Sequence, residues 1–182
     1  MSDLFSQTII VCGLVGTGLT LIYVVFTPQL VGLVAGNPAV YDNALAYFTA
    51  MRFYPLVDVF DTFLFAYVLY LGGYVHFYMA ILSRICINAG LSWVLASRMG
   101  VMGIGLASIL SLLFALFIKL TFLFTKKHAL KFRWYLNARE ALEIAKLAFP
   151  ESALSLFVVI MEMTVNGFTL KTYGAAGLSS PK

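Results

Sequence analysis

The segment RFYPLVDVFDTFLFAYVLYLGGY, residues 52–74, indicates most clearly which class of fold this chain adopts. Its run of apolar and aromatic residues is long enough to cross a bilayer, because about 20 such residues span a hydrocarbon core of about 30 Å. The same run carries two carboxylates, Asp58 and Asp61, and a proline, Pro55. Charged side chains inside a membrane helix are costly and usually face a bundle interior or a water-filled cavity. The segment therefore predicts a membrane helix whose acids have a structural or functional partner.

The composition of the whole chain favours the same interpretation. Of its 182 residues, 62% are hydrophobic and 11% are charged, and the mean hydropathy is +0.94. Soluble domains have about 25% charged residues, so a soluble core of this size cannot bury so much apolar surface. The two cysteines, Cys12 and Cys86, lie in apolar segments and indicate neither a disulfide framework nor a metal site. The composition predicts a multi-pass protein of the cell membrane, with the lipid bilayer as its surroundings.

Apolar segments of about 20 residues or more recur along the chain. They do not alternate in polarity as transmembrane β-strands do, and lipid offers no partner to an unpaired backbone group, so we expect helices. The segments cover residues 7–27, 44–71, 77–97, 102–125 and 147–173. A polar, turn-rich connection is expected between the first two, over residues 28–43. The prediction is an all-α integral membrane protein with about five transmembrane helices.

A basic segment, residues 126–146, separates the fourth span from the fifth. It holds half of the 12 Lys and Arg residues of the chain, and the positive-inside rule makes it cytoplasmic. Asn137 followed by Glu140 is close to a capping box and predicts a short helix on the inner leaflet, with a plain basic loop as the alternative. Residues 1–125 then hold four spans and residues 147–182 the fifth, with the amino terminus also cytoplasmic.

Motifs of enzymes and nucleotide-binding proteins are not supported by their context. CGLVGTG, residues 12–18, matches a glycine-rich fingerprint, but it lies in an apolar span without a preceding strand, so close helix packing is the expected use. His76 and His128 fall at membrane edges and have no catalytic partners near them in the sequence. We expect no enzyme, no catalytic residue, no cofactor and no nucleic-acid partner.

Polar residues inside the spans are the candidates for function: Asp58, Asp61, Arg84, Asn88, Lys119, Glu162, Asn166 and Lys171. Asp58 and Asp61 are three residues apart and share one helix face. With a helix start near Ala44, Asp58 lies about 21 Å along the helix, near the bilayer midplane.

Two interpretations of the acids stay open: a cation or proton site beside a helix kink, or a structural pair with Arg84. Pro55 lacks a backbone donor and is expected to leave the Met51 carbonyl without its usual partner, which would kink the helix. Lys119 is expected to extend along its helix to the inner membrane surface.

Two stretches resemble the multidrug and toxic compound extrusion (MATE) transporters. ICINAGLSWVLASRMGVMGIGLASILS, residues 85–111, resembles the fifth and sixth helices of that family, with an Asn-containing helix, a short glycine turn and a glycine-rich helix start. AKLAFPESALSLFVVIMEMTVNGFTLKTYGAAGLS, residues 145–179, resembles the start of its second lobe. The resemblance implies a chain that corresponds to helices three to seven of a twelve-helix, two-lobe transporter, and it implies that further helices are needed for activity.

The family implies export of cationic or amphipathic organic compounds in exchange for sodium ions or protons, with no metal beyond a possible sodium ion. The resemblance makes Asn88 and Ser108 cation-coupling candidates, and Glu162 a third, about two residues later than in family members. Asp58 and Asp61 join them as acids of this chain without a family counterpart. Two alternatives stay open: a flippase for lipid-linked oligosaccharides of the same superfamily, and a truncated membrane protein that does not transport.

Overall fold

The computed structural model of the protein describes residues 2–35, 38–124, 134, 137–143 and 146. The chain divides into two compact units, Met1–Leu136 and Asn137–Lys182. The described part of the first unit consists of helices and the short turns between them, without a strand. Its helices are α1 (Ser2–Ala35), α2 (Pro38–Ala50), α3 (Tyr54–Tyr70), α4 (Tyr74–Met99) and α5 (Val101–Leu123).

Three helices in the described part of the chain are long and apolar enough to cross a membrane: Phe5–Gly32, Tyr74–Met99 and Val101–Leu123. A fourth span results if Val40–Ala50 and Tyr54–Tyr70 are counted as one helix broken by a bend of 51°. The predicted all-α fold of a multi-pass membrane protein is confirmed. The expected fifth span, residues 147–173, lies outside the described residues.

The polar connection expected over residues 28–43 is largely helical instead. α1 continues through Pro28 to Ala35, and α2 begins at Pro38. A proline inside a membrane helix is tolerated when local groups satisfy the freed backbone positions. Just before Pro28, Thr27 Oγ1 donates a hydrogen bond of 2.5 Å to the carbonyl of Tyr23, next to the Val24 carbonyl that Pro28 leaves without its usual donor.

The kink expected from Pro55 is a complete helix break instead. Residues 51–53 form a turn between α2 and α3, and Pro55 lies in the first turn of α3, where a missing N–H costs little. The Met51 carbonyl, expected to lack a partner, accepts a 2.8 Å hydrogen bond from the N–H of Tyr54. The turn between α2 and α3 therefore provides the Met51 carbonyl with a hydrogen-bond donor.

α5 lies at the centre of the first unit, in contact with α2, α3 and α4, while α1 contacts α2 and α3. Gly100 alone joins α4 to α5, and its φ of +60° falls in the left-handed region that glycine adopts at little cost. Gly16 of α1 packs closely against Leu56 of α3, as expected for the glycine motif of residues 12–18.

A cluster of buried side chains holds one end of the unit together. Its members come from α1, α3 and α5: Phe5, Leu64, Val68, Phe122 and Leu123. In the second unit, residues 138–143 are helical, and Asn137 Oδ1 accepts a 3.0 Å hydrogen bond from the N–H of Arg139. Asn137 thus caps a short helix as its spacing to Glu140 predicts.

Candidate functional site

A charged cluster lies between α3, α4 and α5, and each of these helices contributes at least one member. Asp61 of α3 is 6% exposed and Lys119 of α5 is 2% exposed. Their side chains form an ion pair with 2.7 Å between Lys119 Nζ and Asp61 Oδ1. Burial of charged groups is costly unless they are paired and hydrogen-bonded. This pair is the most deeply buried charged contact in the described part of the chain.

The position of Lys119 corrects the expectation that it extends to the membrane surface. Its ammonium also lies 3.4 Å from the backbone oxygen of Asp61 and 5.6 Å from the centre of the Phe65 ring. Three groups of α3 therefore surround one ammonium of α5. The ammonium stays among these groups and does not reach water at the membrane surface. Its attraction to the Asp61 carboxylate therefore outweighs hydration at that surface.

Arg84 of α4 closes the cluster from the other side. Its NH1 lies 3.8 Å from Asp61 Oδ2, and its NH2 donates a 2.9 Å hydrogen bond to the hydroxyl of Tyr54. The side chain of Arg84 is 37% exposed, in contrast to that of Lys119. Of the two interpretations of the acids, the pairing with Arg84 is present for Asp61, although Lys119 is the closer partner.

Asp58 lies one turn before Asp61 on α3 and is half-buried. Its carboxylate is near enough to interact electrostatically with Arg84, Asp61, Lys119 and Tyr54. The two acids and the two bases add up to a formal charge of zero. The cluster is thus neutral without any bound ion.

A small cavity opens beside the ion pair. Its volume is about 80 Å³, and its lining combines charged and apolar side chains: Asp61, Phe65, Ala80, Ile81, Arg84, Ala115 and Lys119. One water occupies about 30 Å³ in the liquid, so the cavity has room for a few waters or for one small ion. Drug-sized ligands need about 300–1,000 Å³, so an organic compound does not fit here.

Two other predicted site residues, Asn88 and Ser108, form side-chain hydrogen bonds within their own helices. Asn88 accepts a 2.9 Å hydrogen bond from Ser92 within α4. Ser108 donates a 3.1 Å hydrogen bond to the carbonyl of Ile104 within α5. Glu162 lies outside the described residues. The structure thus brings together Asp58 and Asp61 of the predicted set, and a cation-coupling role for any of the five stays a prediction.

Within the described residues, no group of three or more His, Cys, Asp or Glu side chains is arranged to hold a metal ion. Sequence reasoning missed Lys119 and Tyr54 as members of the cluster. A signal for Tyr54 was present, since it precedes Asp58 by four residues and so lies on the same helix face. Lys119 carried no such signal, because contact between distant helices depends on their relative depth and rotation.

The chain was compared with known proteins at the levels of sequence and structure. Protein-family models give no match, and curated proteins and solved structures give no significant match. The resemblance to MATE transporters therefore stays a prediction from sequence patterns. What stands on the structure itself is a multi-pass membrane protein with a charge cluster between three of its helices, in which the Asp61–Lys119 pair is buried.

Proposed function

We propose that the protein functions in multidrug efflux, exporting cationic or amphipathic organic compounds in exchange for sodium ions or protons. The observation that carries this proposal is the Asp61–Lys119 pair, buried between apolar helices. Ionisable residues at such depth are costly and are typical of ion pathways and proton relays. The basic segment over residues 126–146 and the amino terminus are placed on the cytoplasmic side of the cell membrane in this proposal.

The break between α2 and α3 lies next to the charge cluster, and it supports a transport mechanism in which this helix pair changes shape. Discontinuous membrane helices commonly form the ion and substrate sites of transporters. Here the break is followed at once by Tyr54, whose hydroxyl accepts the hydrogen bond from Arg84. A change in the 51° bend between α2 and α3 would therefore move a partner of the charge cluster. A change of the bend would thus alter the hydrogen bond between Tyr54 and Arg84 in the cluster.

The size of the cavity supports a role for the cluster in binding the ion rather than the exported compound. At about 80 Å³ it is several-fold smaller than a drug-sized site. The organic compound then binds elsewhere, in a cleft completed by the further helices that the family resemblance implies. Small organic cations remain the proposed substrates, and the coupling ion is the one that visits the cluster.

A second candidate is a membrane protein that only packs with a partner. The observation that favours it is the charge balance of the cluster, since two acids and two bases satisfy one another without an added ion. A flippase for lipid-linked oligosaccharides ranks lower. Two basic residues, Arg84 of α4 and Lys119 of α5, approach Asp61, which leaves less positive charge for a pyrophosphate.

Efflux of a fluorescent cationic dye from cells that express the full chain tests the proposal. Asp61→Asn is expected to lower dye efflux several-fold at equal protein level in the membrane. Asp42→Asn is the matched control, because Asp42 is exposed at the start of α2. If Asp61→Asn does not accumulate, Asp58→Asn at the edge of the cluster takes its place. Normal efflux by the variant that accumulates would show that transport does not need the cluster, whereas efflux by the native chain no higher than that of cells without it would favour the packing protein.

A further inference from the structure

The ammonium of Lys119 is in contact with two oxygens of Asp61, one of its carboxylate and one of its backbone. It lies 2.7 Å from Oδ1 and 3.4 Å from the backbone oxygen of the same residue. Carboxylate and carbonyl oxygens are also the ligands that hard metal cations prefer. One side-chain ammonium thus fills an oxygen pair suited to an ion such as sodium.

We propose that Lys119 is a tethered cation that excludes sodium from the Asp61 site, so that sodium is not the coupling ion of this protein. The proposal rests on the proposed antiport for its physiological meaning, but its physical claim concerns ion binding alone. It assigns to Lys119 the role of a residue that determines ion specificity.

Exclusion of sodium at this site is electrostatic rather than steric. The cavity beside the pair, about 80 Å³, has room for a small ion together with a water. Every oxygen of the Asp61 carboxylate, however, already faces a protein cation: Oδ1 faces Lys119 and Oδ2 faces Arg84 at 3.8 Å. A sodium ion would therefore have to compete with two cations that are held in place by the fold.

The charge balance points the same way. Asp58 and Asp61 of α3 face Arg84 of α4 and Lys119 of α5, for a sum of zero. α1 packs against the other side of α3 and has no Lys, Arg, Asp or Glu over residues 5–32. The carboxylates are therefore already balanced by protein cations, which lowers the attraction of the cluster for a sodium ion.

Removal of the Lys119 ammonium changes both the access to the Asp61 oxygens and the charge balance of the cluster. Lys119→Ala leaves the carboxylate and carbonyl oxygens of Asp61 open and gives the cluster a formal charge of −1. The same site is then expected to bind sodium. Lys119→Arg keeps the positive charge and is expected to exclude sodium as the native residue does.

Thermal unfolding of the purified full chain in detergent tests the proposal without any transport step. The melting temperature is measured in sodium chloride and in potassium chloride at equal ionic strength. We expect the native chain and Lys119→Arg to melt at the same temperature in both salts. Lys119→Ala is expected to melt about 3 °C higher in sodium, as for a ligand at about ten times its Kd.

The control variant is Asp61→Asn with Lys119→Ala, which lacks the carboxylate and is expected to lose the difference between the two salts. If Lys119→Ala does not fold, Lys119→Gln replaces it. A sodium-specific rise in the melting temperature of the native chain would overturn the proposal. Equal melting of Lys119→Ala in the two salts would overturn it too.

A transport measurement separates this proposal from the proposed function. Dye efflux by the native chain is expected to be unchanged when choline replaces sodium outside the cells, which leaves protons as the coupling ion. Sodium-dependent efflux would overturn sodium exclusion while supporting the antiport. Absence of any efflux would count against the antiport, whereas the melting temperatures would still decide whether Lys119 excludes sodium.

Discussion

Replacement of Asp61 by Asn is expected to destabilise the helix bundle by about 3 kcal/mol. The change leaves the ammonium of Lys119, which is 2% exposed, without its carboxylate partner. Removing one member of a buried ion pair costs about 3–5 kcal/mol in soluble proteins. The lower end of this range, about 3 kcal/mol, is the expected loss.

A double-mutant cycle assigns this loss to the pair itself. Lys119→Met leaves the Asp61 carboxylate deprived of its nearest cation and is expected to cost a similar amount. The double variant, Asp61→Asn with Lys119→Met, removes both charges, and replacing a buried pair by uncharged residues is often nearly neutral. Its loss is expected not to exceed that of either single variant. The interaction energy is then at least about 3 kcal/mol, at or above the upper end of the range for contacting residues.

The assay is unfolding of the full chain in mixed micelles, driven by a denaturing detergent and followed by the loss of helical circular dichroism. Asp42→Asn is the control for loss of a carboxylate at an exposed position, where changes of about 0.5 kcal/mol or less are usual. Strict additivity of the two single variants would refute the argument. A change in Asp61→Asn no larger than that of the control would refute it as well.

Two further predictions concern the packing of α1 and the helix break. Gly16→Ala is expected to destabilise the bundle by about 1–3 kcal/mol, because the new Cβ would lie 3.2 Å from the Leu56 Cα; Gly18→Ala, which faces open space, is the control and should cost nothing. Equal effects of the two in the unfolding assay would contradict the close contact between α1 and α3. Pro55→Ala is expected to change stability by less than about 1 kcal/mol, since Pro55 lies in the first turn of α3. A loss of about 3 kcal/mol would show that the ring itself holds the break.

The membrane-spanning segments were predictable from the sequence because their signal is local. The length of an apolar run can be read directly from the sequence and compared with the thickness of a bilayer. α4 and α5 coincide with predicted spans to within about three residues at each end. The connection between the first two spans was harder to predict. Prolines at positions 28 and 38 and a glycine at 32 are typical of turns in water, but helices persist around them here.

The site was predictable in part. The spacing of Asp58 and Asp61 placed both acids on one helix face and required a partner of opposite charge. The identity of that partner could not be read from neighbouring residues. Lys119 lies about one turn from the end of α5, which favours an extended side chain that reaches the surface. Its contact with Asp61, 58 residues earlier, depends on how α3 and α5 are rotated against each other, and no sequence spacing encodes that rotation.

The separation of 58 residues between Asp61 and Lys119 also has a consequence for biosynthesis. A ribosome adds about 5–20 residues per second, so Asp61 exists for about 3–12 s before Lys119 has been made. During this interval α3 carries a carboxylate whose nearest cation is missing, and its entry into the bilayer depends on its own apolar residues. The ion pair can close only once α5 has followed, which makes it a late step of membrane insertion.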